Sequence, residues 1–281
     1  MIKKERPVII VRGAGDLATG VIIRLHKCGF KLMVCECEDP SAIRRKAALC
    51  QAVWNGETTV EGVTAKTVKD REEAFSLIEK GVIPLFIDTE CAIAKDIKPI
   101  AIVDAILAKK NLGTDRSMAQ ITVGLGPGFT AGKDVDAVIE TMRGHHLGKV
   151  IYEGSPIANT GIPGNIGGFT KERVIHSHIG GKISFVTDEK GETVDIGSIV
   201  KKGQTIAKIG TSPVKATIDG VLRGLIHEGY TVPQHFKIAD IDPRLEQVAY
   251  CDTVSDKARA IAGGVLEALL TLSEERNLPL L

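Results

Sequence analysis

The N-terminal stretch of the chain has residue types and spacings suited to binding a phosphate-bearing ligand. The apolar run Val8–Val11 predicts a buried strand, and apolar residues recur at helical spacing over Leu17–Leu25. Between them, Gly13 permits a tight turn and Gly15 lets backbone N–H groups approach a phosphate. A second predicted strand ends at Glu36, where a carboxylate can bind ribose hydroxyls. This is a βαβ unit of the dinucleotide-binding type, G-x-G-x-x-A. The residues expected to contact the ligand are Gly13, Ala14, Gly15, Asp16, Leu17 and Glu36.

The identity of the ligand stays open at this point. Many turns of this type bind a different phosphate ligand, or none. Asp16 adjoins the expected phosphate position, where its charge either repels an anion or caps the following helix.

Further glycine and acidic residues are expected at the same edge of the sheet. Asp88 and Asp104 each end an apolar run that predicts a strand, and parallel sheets bind ligands beyond the carboxyl ends of their strands. A second glycine-rich turn follows the predicted strand Ile121–Val123 and precedes a predicted helix over Val135–Arg143. It either cradles an anion or serves a crowded strand crossing. Its glycines are Gly124, Gly126 and Gly128.

Basic residues close to the second strand allow two interpretations. Pro40–Lys46 predicts the start of a capped helix with a basic face. Arg44 and Arg45 either contact phosphates at the first glycine turn or form a solvated helix face.

Predicted strands alternate with predicted helices through the first half of the chain, including a short helix at 105–110. This alternation predicts an α/β fold with a Rossmann-like, doubly wound and mostly parallel sheet. We expect a cofactor-binding domain over 1–155, a Gly/Pro-rich connecting segment over 156–179, a small all-β domain over 180–245, and a C-terminal helix within 246–281 that packs back on the first domain.

An internal repeat defines the small all-β domain. Residues 194–209 align without a gap with residues 226–241, and Gly203 is matched by His235. Because a turn glycine usually supplies a positive φ, His235 is expected either to be mildly strained or to lie in a changed turn. The pattern resembles a barrel-sandwich hybrid, the fold of biotinyl and lipoyl carrier domains. The hairpin over 208–213 is short and lacks a Met-Lys-Met tip, so covalent biotin or lipoate is not expected.

The six cysteines form no zinc-type C-x-x-C pair and are expected to be mostly buried, reduced thiols. Cys251 lies just before the predicted C-terminal helix, an environment that lowers the pKa of a thiol, and it is the preferred reactive cysteine. His145 and His146 are adjacent and do not share a helix face, so no metal site is expected.

Bulk composition excludes several classes of function. A net charge of +1 and an aromatic content of 4% argue against nucleic-acid binding. No apolar run approaches the ~20 residues of a membrane span. We expect a cytoplasmic protein, and a homo-oligomer is compatible with the sequence.

Several motifs occur in one order along the chain: RGAGDLATG (12–20), GLGPGF (124–129), VIETMRGHHLGKVI (138–151), NTGIPG (159–164), KIADIDPR (237–244) and SDKARAIAGGVLEALL (255–270). On these motifs the chain resembles the YqeB-like family of selenium-dependent molybdenum hydroxylase system proteins over nearly its whole length. The N-terminal unit is also similar to the nucleotide-binding part of XdhC-type molybdenum cofactor chaperones, on GAGDLA, Gly29 and Glu36.

The resemblance implies an accessory protein that assists maturation of a molybdenum hydroxylase apoenzyme. Its ligand would be a molybdopterin-type cofactor or an NAD-like dinucleotide, and Cys251 would relay sulfur or selenium. Two other hypotheses stay open: an NAD-dependent oxidoreductase, and a non-catalytic scaffold whose glycine turns are only structural.

Overall fold

The computed structural model describes residues 7–161, 164 and 166–280. The chain forms two compact units. The first comprises Met1–Pro40, Ala48–Asn159 and Val254–Leu281, and the second comprises Ser41–Ala47 and Thr160–Thr253. The short segment Ser41–Ala47 therefore belongs with the second unit, although it lies within the N-terminal domain predicted from the sequence.

The first unit is built on a nine-stranded sheet, whose order is β3-β4-β5-β2-β1-β6-β7-β8-β9. Its strands are β1 (Val8–Arg12), β2 (Lys31–Glu36), β3 (Glu57–Val60), β4 (Val63–Val68), β5 (Ile83–Ile87), β6 (Ala101–Asp104), β7 (Ile121–Leu125), β8 (Ala137–Ile139) and β9 (Val150–Ile151). The pairs β3–β4 and β8–β9 are antiparallel, and the remaining pairs are parallel. Strands β1, β6 and β7 are buried along their full length, as expected for parallel strands covered on both faces. The predicted α/β fold with a large, mostly parallel sheet is confirmed at this level.

Five helices complete the first unit: α1 (Asp16–Lys27), α2 (Ala52–Asn55), α3 (Arg71–Glu79), α4 (Ala94–Ile97) and α5 (Asp256–Glu275). Two of them begin at a side-chain N-cap. The side chain of Asp70 accepts a hydrogen bond from Glu73 N at the start of α3, and that of Ser255 accepts one from Ala258 N at the start of α5. A short 3-10 helix lies at Leu49–Gln51 in the first unit, and others lie at Arg45–Ala47, Lys171–Arg173 and Leu245–Tyr250 in the second.

Helix α5 packs closely against the rest of the first unit because glycines leave room for its backbone. A Cβ atom at Gly20 of α1 would lie 2.7 Å from the Cβ of Ala258 in α5. A Cβ at Gly264 would lie 2.1 Å from the carbonyl oxygen of Gly148. Next to it, a Cβ at Gly263 would meet no atom within 4 Å.

In three stretches that the structure describes in full, the predicted helices are wrong. Residues 135–143 contain strand β8, because their buried β-branched side chains complete the sheet between β7 and β9. Residues 105–110 have an irregular backbone with positive φ at Leu107 and Lys109. The segment 40–46 enters a single 3-10 turn at Arg45–Ala47 rather than a helix. In each case the tertiary surroundings override local helix propensity.

The second unit contains two four-stranded sheets, ordered β10-β17-β15-β12 and β14-β13-β11-β16, in which neighbouring strands are antiparallel. Their strands are β10 (Val174–His176), β11 (Gly181–Phe185), β12 (Ile199–Val200), β13 (Thr205–Ile209), β14 (Ser212–Lys215), β15 (Gly220–Leu225), β16 (Thr231–Val232) and β17 (Lys237–Asp242). Buried Ile, Val and Leu side chains from both sheets form one apolar cluster, which is the core of this unit.

The sequence repeat is visible in the backbone of the second unit. Strands β12 and β13 of the first copy correspond to β16 and β17 of the second copy. The turn residue between the strands has φ of 86° at Gly203 and 64° at His235. The prediction that His235 occupies a strained, left-handed position is therefore confirmed. Among the described residues of both units, no helix has the length and apolar character needed to cross a membrane.

Two adjacent glycines of α5 give a matched test of helix packing. Gly264→Ala should lower the free energy of unfolding by about 1–3 kcal/mol, because its Cβ overlaps the backbone at Gly148. Gly263→Ala should raise it by up to about 1 kcal/mol, because alanine favours a helix and the space is open. Urea denaturation of both variants measures the difference, and equal effects would contradict this packing.

The repeat gives a second matched test. His235→Gly should raise the free energy of unfolding by about 1 kcal/mol, because a left-handed backbone strains any residue with a Cβ. Gly203→Ala should lower it by a similar amount for the same reason. Thermal unfolding of both variants checks the opposite signs, and a destabilised His235→Gly protein would show that the imidazole stabilises the turn.

Candidate functional site

Predicted site residues from five strands of the first unit meet at one edge of the sheet. Strands β1, β2, β6 and β7 are consecutive parallel neighbours of the sheet, with β5 beside β2, so their carboxyl ends form one edge, called here the carboxyl edge. The residues it brings together are the Gly13–Leu17 turn after β1, Glu36 at the end of β2, Asp88 after β5, Asp104 at the end of β6, and Gly124–Gly128 around the end of β7.

The two glycines of the first turn have different roles. Gly13 has a φ of 93°, and a Cβ there would lie 3.1 Å from the backbone at Ala105, so this glycine permits close packing. Gly15 is the N-cap residue of α1, with φ of −62°, and a Cβ there would meet no atom within 4 Å. The space beside Gly15 is therefore open at the N-terminus of a twelve-residue helix, where N–H groups and the helix dipole favour an anion.

Asp16 and Leu17 follow Gly15 and are half-buried, so this part of the turn is accessible. Asp16 is the first residue of α1 and not its cap. Its carboxylate lies in the first helical turn, where the helix dipole stabilises a negative charge.

The side chain of Glu36 is hydrogen-bonded to the backbone of the turn. Its Oε2 accepts a hydrogen bond from Ala14 N at 2.7 Å, and its Oε1 accepts one from Cys37 N at 2.8 Å. A carboxylate has about four lone-pair sites, so each oxygen can accept a further bond from a ligand hydroxyl. The carboxylate is thereby fixed beside the accessible turn.

Sequence reasoning missed the segment that supports this turn from the other side. The carbonyl of Ala14 accepts hydrogen bonds from Cys50 N at 2.9 Å and from the Thr19 hydroxyl at 3.1 Å. The same hydroxyl accepts a bond from Leu49 N at 2.9 Å. The Cys50 thiol is fully buried there, and burial with the nearby charges of Glu36 and Asp16 raises its pKa well above the usual value.

Asp104 makes buried internal contacts at the carboxyl edge. It is 2% exposed and accepts hydrogen bonds from the Thr114 hydroxyl at 2.6 Å and from Ile106 N at 3.1 Å. Burial raises the pKa of Asp104, while those two hydrogen bonds and the charge of Arg12 act in the opposite direction. These contacts connect Asp104 to the protein interior, whereas the Gly15 side of the turn is open.

The partner of Asp104 is Arg12, which sequence reasoning also missed. Arg12 ends β1, is 2% exposed, and lies 3.6 Å from Asp104 between Nη1 and Oδ2. It donates hydrogen bonds to the Thr114 hydroxyl and to the carbonyl oxygens of Thr89 and Leu112. The sequence did contain a signal for this pair: a cationic residue directly follows four apolar residues of a predicted buried strand. A buried charge requires a partner.

The second glycine turn is filled by the protein itself. Cβ atoms at its glycines would lie 2.6 Å from the Phe129 ring (Gly124), 2.5 Å from the Thr141 hydroxyl (Gly126) and 2.7 Å from the Lys110 backbone (Gly128). These glycines accommodate crowded packing, which favours the structural alternative for this turn over an anion cradle.

Arg44 and Cys251 lie in the second unit. Arg44 Nη2 donates hydrogen bonds to the carbonyls of Tyr250 and Thr253, at 3.2 and 3.0 Å, on either side of Cys251. The Cys251 thiol is buried and donates to the Gln247 carbonyl at 3.5 Å. Burial raises its pKa, and the charges of Arg44, Arg223 and Lys46 offset this only in part. The expected lowering of this pKa is wrong because desolvation outweighs the basic surroundings.

Across the described residues, no three His, Cys, Asp or Glu side chains are grouped so that they could hold a metal ion. The rings of His145 and His146 contact each other edge to face, with centroids 5.1 Å apart.

Comparison with known proteins identifies one close relative. The chain is 50% identical over 279 residues to an Escherichia coli (strain K12) protein named "Uncharacterized protein YqeB", a name that states no ligand or activity. The match covers 98% of this chain. The chain is thus similar to YqeB along nearly all of its own length. It spans about half the length of that curated relative, and no protein-family model matches it.

The buried Arg12–Asp104 pair gives a third test. Arg12→Met should lower the free energy of unfolding by about 3–5 kcal/mol, because it leaves a buried carboxylate without its counter-charge. The loss should shrink in mild acid, because a protonated Asp104 needs no cation, and burial already raises its pKa.

Urea unfolding at neutral and mildly acidic pH measures this loss, with Arg12→Met/Asp104→Asn as the matched control. The double variant should lose less than the sum of the single variants, because it removes both charges. Additive losses without pH dependence would show that the two side chains are not coupled.

Proposed function

We propose that this chain is an accessory protein that binds a phosphate-bearing ligand at the carboxyl edge of a Rossmann-like domain. The ligand is a molybdopterin-type cofactor or an NAD-like dinucleotide, and the role is to assist maturation of a selenium-dependent molybdenum hydroxylase. The site geometry supports this ligand class, and the family resemblance of the sequence supports the maturation role.

One observation carries the ligand assignment: an open glycine and a fixed carboxylate lie side by side. Gly15 leaves the N-terminus of α1 accessible, and Glu36 is hydrogen-bonded to the adjacent Ala14 N. Backbone N–H groups at Gly15 can bind a phosphate while Glu36 accepts hydrogen bonds from ribose or pterin polar groups. A ligand that carries both groups fits this pair.

The strand order supports the same conclusion. From β1 the sheet continues to β2 on one side and to β6 on the other, so β1 lies where the order of the strands reverses. In open parallel sheets, ligands bind outside the carboxyl ends of the strands at such a point. The Gly13–Leu17 turn begins directly after β1.

The second unit is proposed to be a barrel-sandwich-hybrid-like domain. Its role would be to bind another molecule, to cover a binding site or to form a dimer. Its repeated strand pairs support this assignment, and the hairpin between β13 and β14 has only Gly210 and Thr211 at its tip. We assign no sulfur or selenium transfer to Cys251, because the buried thiol with a raised pKa is a poor nucleophile.

An NAD-dependent oxidoreductase is the second candidate, because the same Glu36 would bind the ribose of NAD and repel the 2′-phosphate of NADP. Under a third hypothesis, a non-catalytic scaffold, the turn binds no ligand.

Gly15→Ala tests the site without disturbing the fold. Its Cβ meets no protein atom within 4 Å and its φ suits alanine, so the free energy of unfolding should change by about 1 kcal/mol or less. The Cβ would occupy the space of the phosphate, so binding should weaken at least about tenfold, which corresponds to about 1.4 kcal/mol. Gly263→Ala, at another open glycine, is the matched control and should bind like the unaltered protein.

The measurement is anaerobic titration of each protein with molybdenum cofactor released from a hydroxylase, and separately with NADH followed by fluorescence. Retention of the molybdenum cofactor that Gly15→Ala abolishes supports the accessory role. NADH binding with the same dependence, without retention of the cofactor, supports the oxidoreductase. If neither ligand binds, the accessory role and the oxidoreductase are both overturned, and the scaffold hypothesis is left.

A further inference from the structure

Two buried cysteines of the first unit lie in contact at the carboxyl edge, and none of the roles considered so far uses them. Cys35 is in β2, directly opposite Arg12 of β1 in the parallel register. Cys91 lies in the turn after β5. Their side chains are hydrogen-bonded to each other and are 3% and 2% exposed. Both side chains also belong to one apolar cluster of the first unit, so the two thiols have the proximity that a disulfide requires.

Backbone hydrogen bonds fix the position of both cysteines. Cys35 lies within the ladder of strand β2. Cys91 N donates to the Asp88 carbonyl at 3.2 Å, and Asp88 N donates to the Glu36 carbonyl at 2.9 Å, so the turn with Cys91 is anchored on the end of β2. Cys91 has a positive φ of 56°, which a non-glycine residue adopts only under constraint from its surroundings. The pairing of the two thiols is therefore imposed by the fold and is not an accident of a mobile loop.

The charges around the pair differentiate the two sulfurs. The hydrogen bond from Cys35, with the nearby charge of Arg12, lowers the pKa of Cys91 against its burial. The same hydrogen bond, together with burial, raises the pKa of Cys35. Cys91 is thus the more acidic thiol of the pair and the one expected to act as its nucleophile.

We propose that Cys35 and Cys91 form a redox-active dithiol that a small peroxide converts to a disulfide. The Cys91 thiolate attacks one oxygen of hydrogen peroxide: the S–O bond forms, the O–O bond breaks, and the hydroxide that leaves takes up a proton as water. Cys35 then attacks the sulfenic sulfur of Cys91: the S–S bond forms, the S–O bond breaks, and the thiol proton leaves with the hydroxide as a second water. Two thiols and one peroxide give one disulfide and two waters.

The disulfide would act on the proposed ligand site through the backbone. The carbonyl of Cys35 accepts a hydrogen bond from Gly13 N at 2.7 Å, at the start of the accessible turn. Arg12 donates to the carbonyl of Thr89, two residues before Cys91. A bond between Cys35 and Cys91 would therefore link two segments that are hydrogen-bonded to the start of this turn: strand β2 and the segment after β5. The redox chemistry itself does not depend on the proposed ligand.

The test is peroxide treatment of the full chain, followed by alkylation, digestion and mass spectrometry. The unaltered protein should lose two of its six thiols, and dithiothreitol should restore both. A cross-linked pair of peptides containing Cys35 and Cys91 is expected. Because Cys37 lies on the same tryptic peptide as Cys35, the Cys37→Ser variant assigns the linkage and should still form it.

Cys35→Ala and Cys91→Ala should each abolish the cross-link while the four thiols outside the pair, those of Cys28, Cys37, Cys50 and Cys251, stay reduced. Cys35→Ala should instead accumulate the sulfenic acid on Cys91, which dimedone traps. This distinguishes a dithiol from a merely buried pair. Should either variant fail to fold, the mass spectrum of the unaltered protein decides. Cross-linking through Cys37 or Cys50, or unchanged thiols after peroxide, would overturn the proposal, and neither outcome bears on cofactor binding.

Discussion

The carboxyl edge of the large sheet depends on one buried cation. Arg12 ends β1 in the protein interior, where an unpaired guanidinium would be very costly. Its donors reach Thr114 and the backbones at Thr89 and Leu112, and its charge faces Asp104. A single side chain thus connects the segments that follow β5 and β6. Because Gly13 is the next residue, the same contacts fix the start of the accessible turn.

This constraint explains why two similar glycine-rich turns differ in what they can do. The turn after β1 begins at a fixed residue, packs Gly13 against Ala105 and leaves Gly15 open. The turn after β7 has its own Phe129 ring against Gly124 and the Thr141 hydroxyl against Gly126. A glycine is thus necessary for close approach by either a ligand or the protein itself, and only the surrounding residues decide between the two. Of these two turns, the one after β1 leaves open space at a glycine, and the one after β7 does not.

Features set by local sequence could be predicted, and those set by distant contacts could not. The caps at Asp70 and Ser255 need only residues within the first helical turn, and the strained His235 follows from a repeat within the sequence. The strand β8 was missed because its pairing with β7 and β9 outweighs local preference. Arg12 was missed because its partners lie far along the chain, and Cys251 because burial cannot be seen in the sequence.

If the proposed ligand binds at the carboxyl edge, the charges there would select among phosphate ligands. Asp16 and Glu36 are acidic residues of the accessible turn and its neighbour, while Arg12 makes its contacts in the interior. A terminal monophosphate carries about −1.5 to −2 charge at neutral pH and would meet these carboxylates with backbone N–H groups as its main donors. An internal pyrophosphate carries less charge on each phosphate and is flanked by a sugar or pterin group whose hydroxyl or amine can donate to Glu36. The electrostatics therefore favour a ligand whose phosphates lie within the molecule, which a dinucleotide provides and a mononucleotide does not.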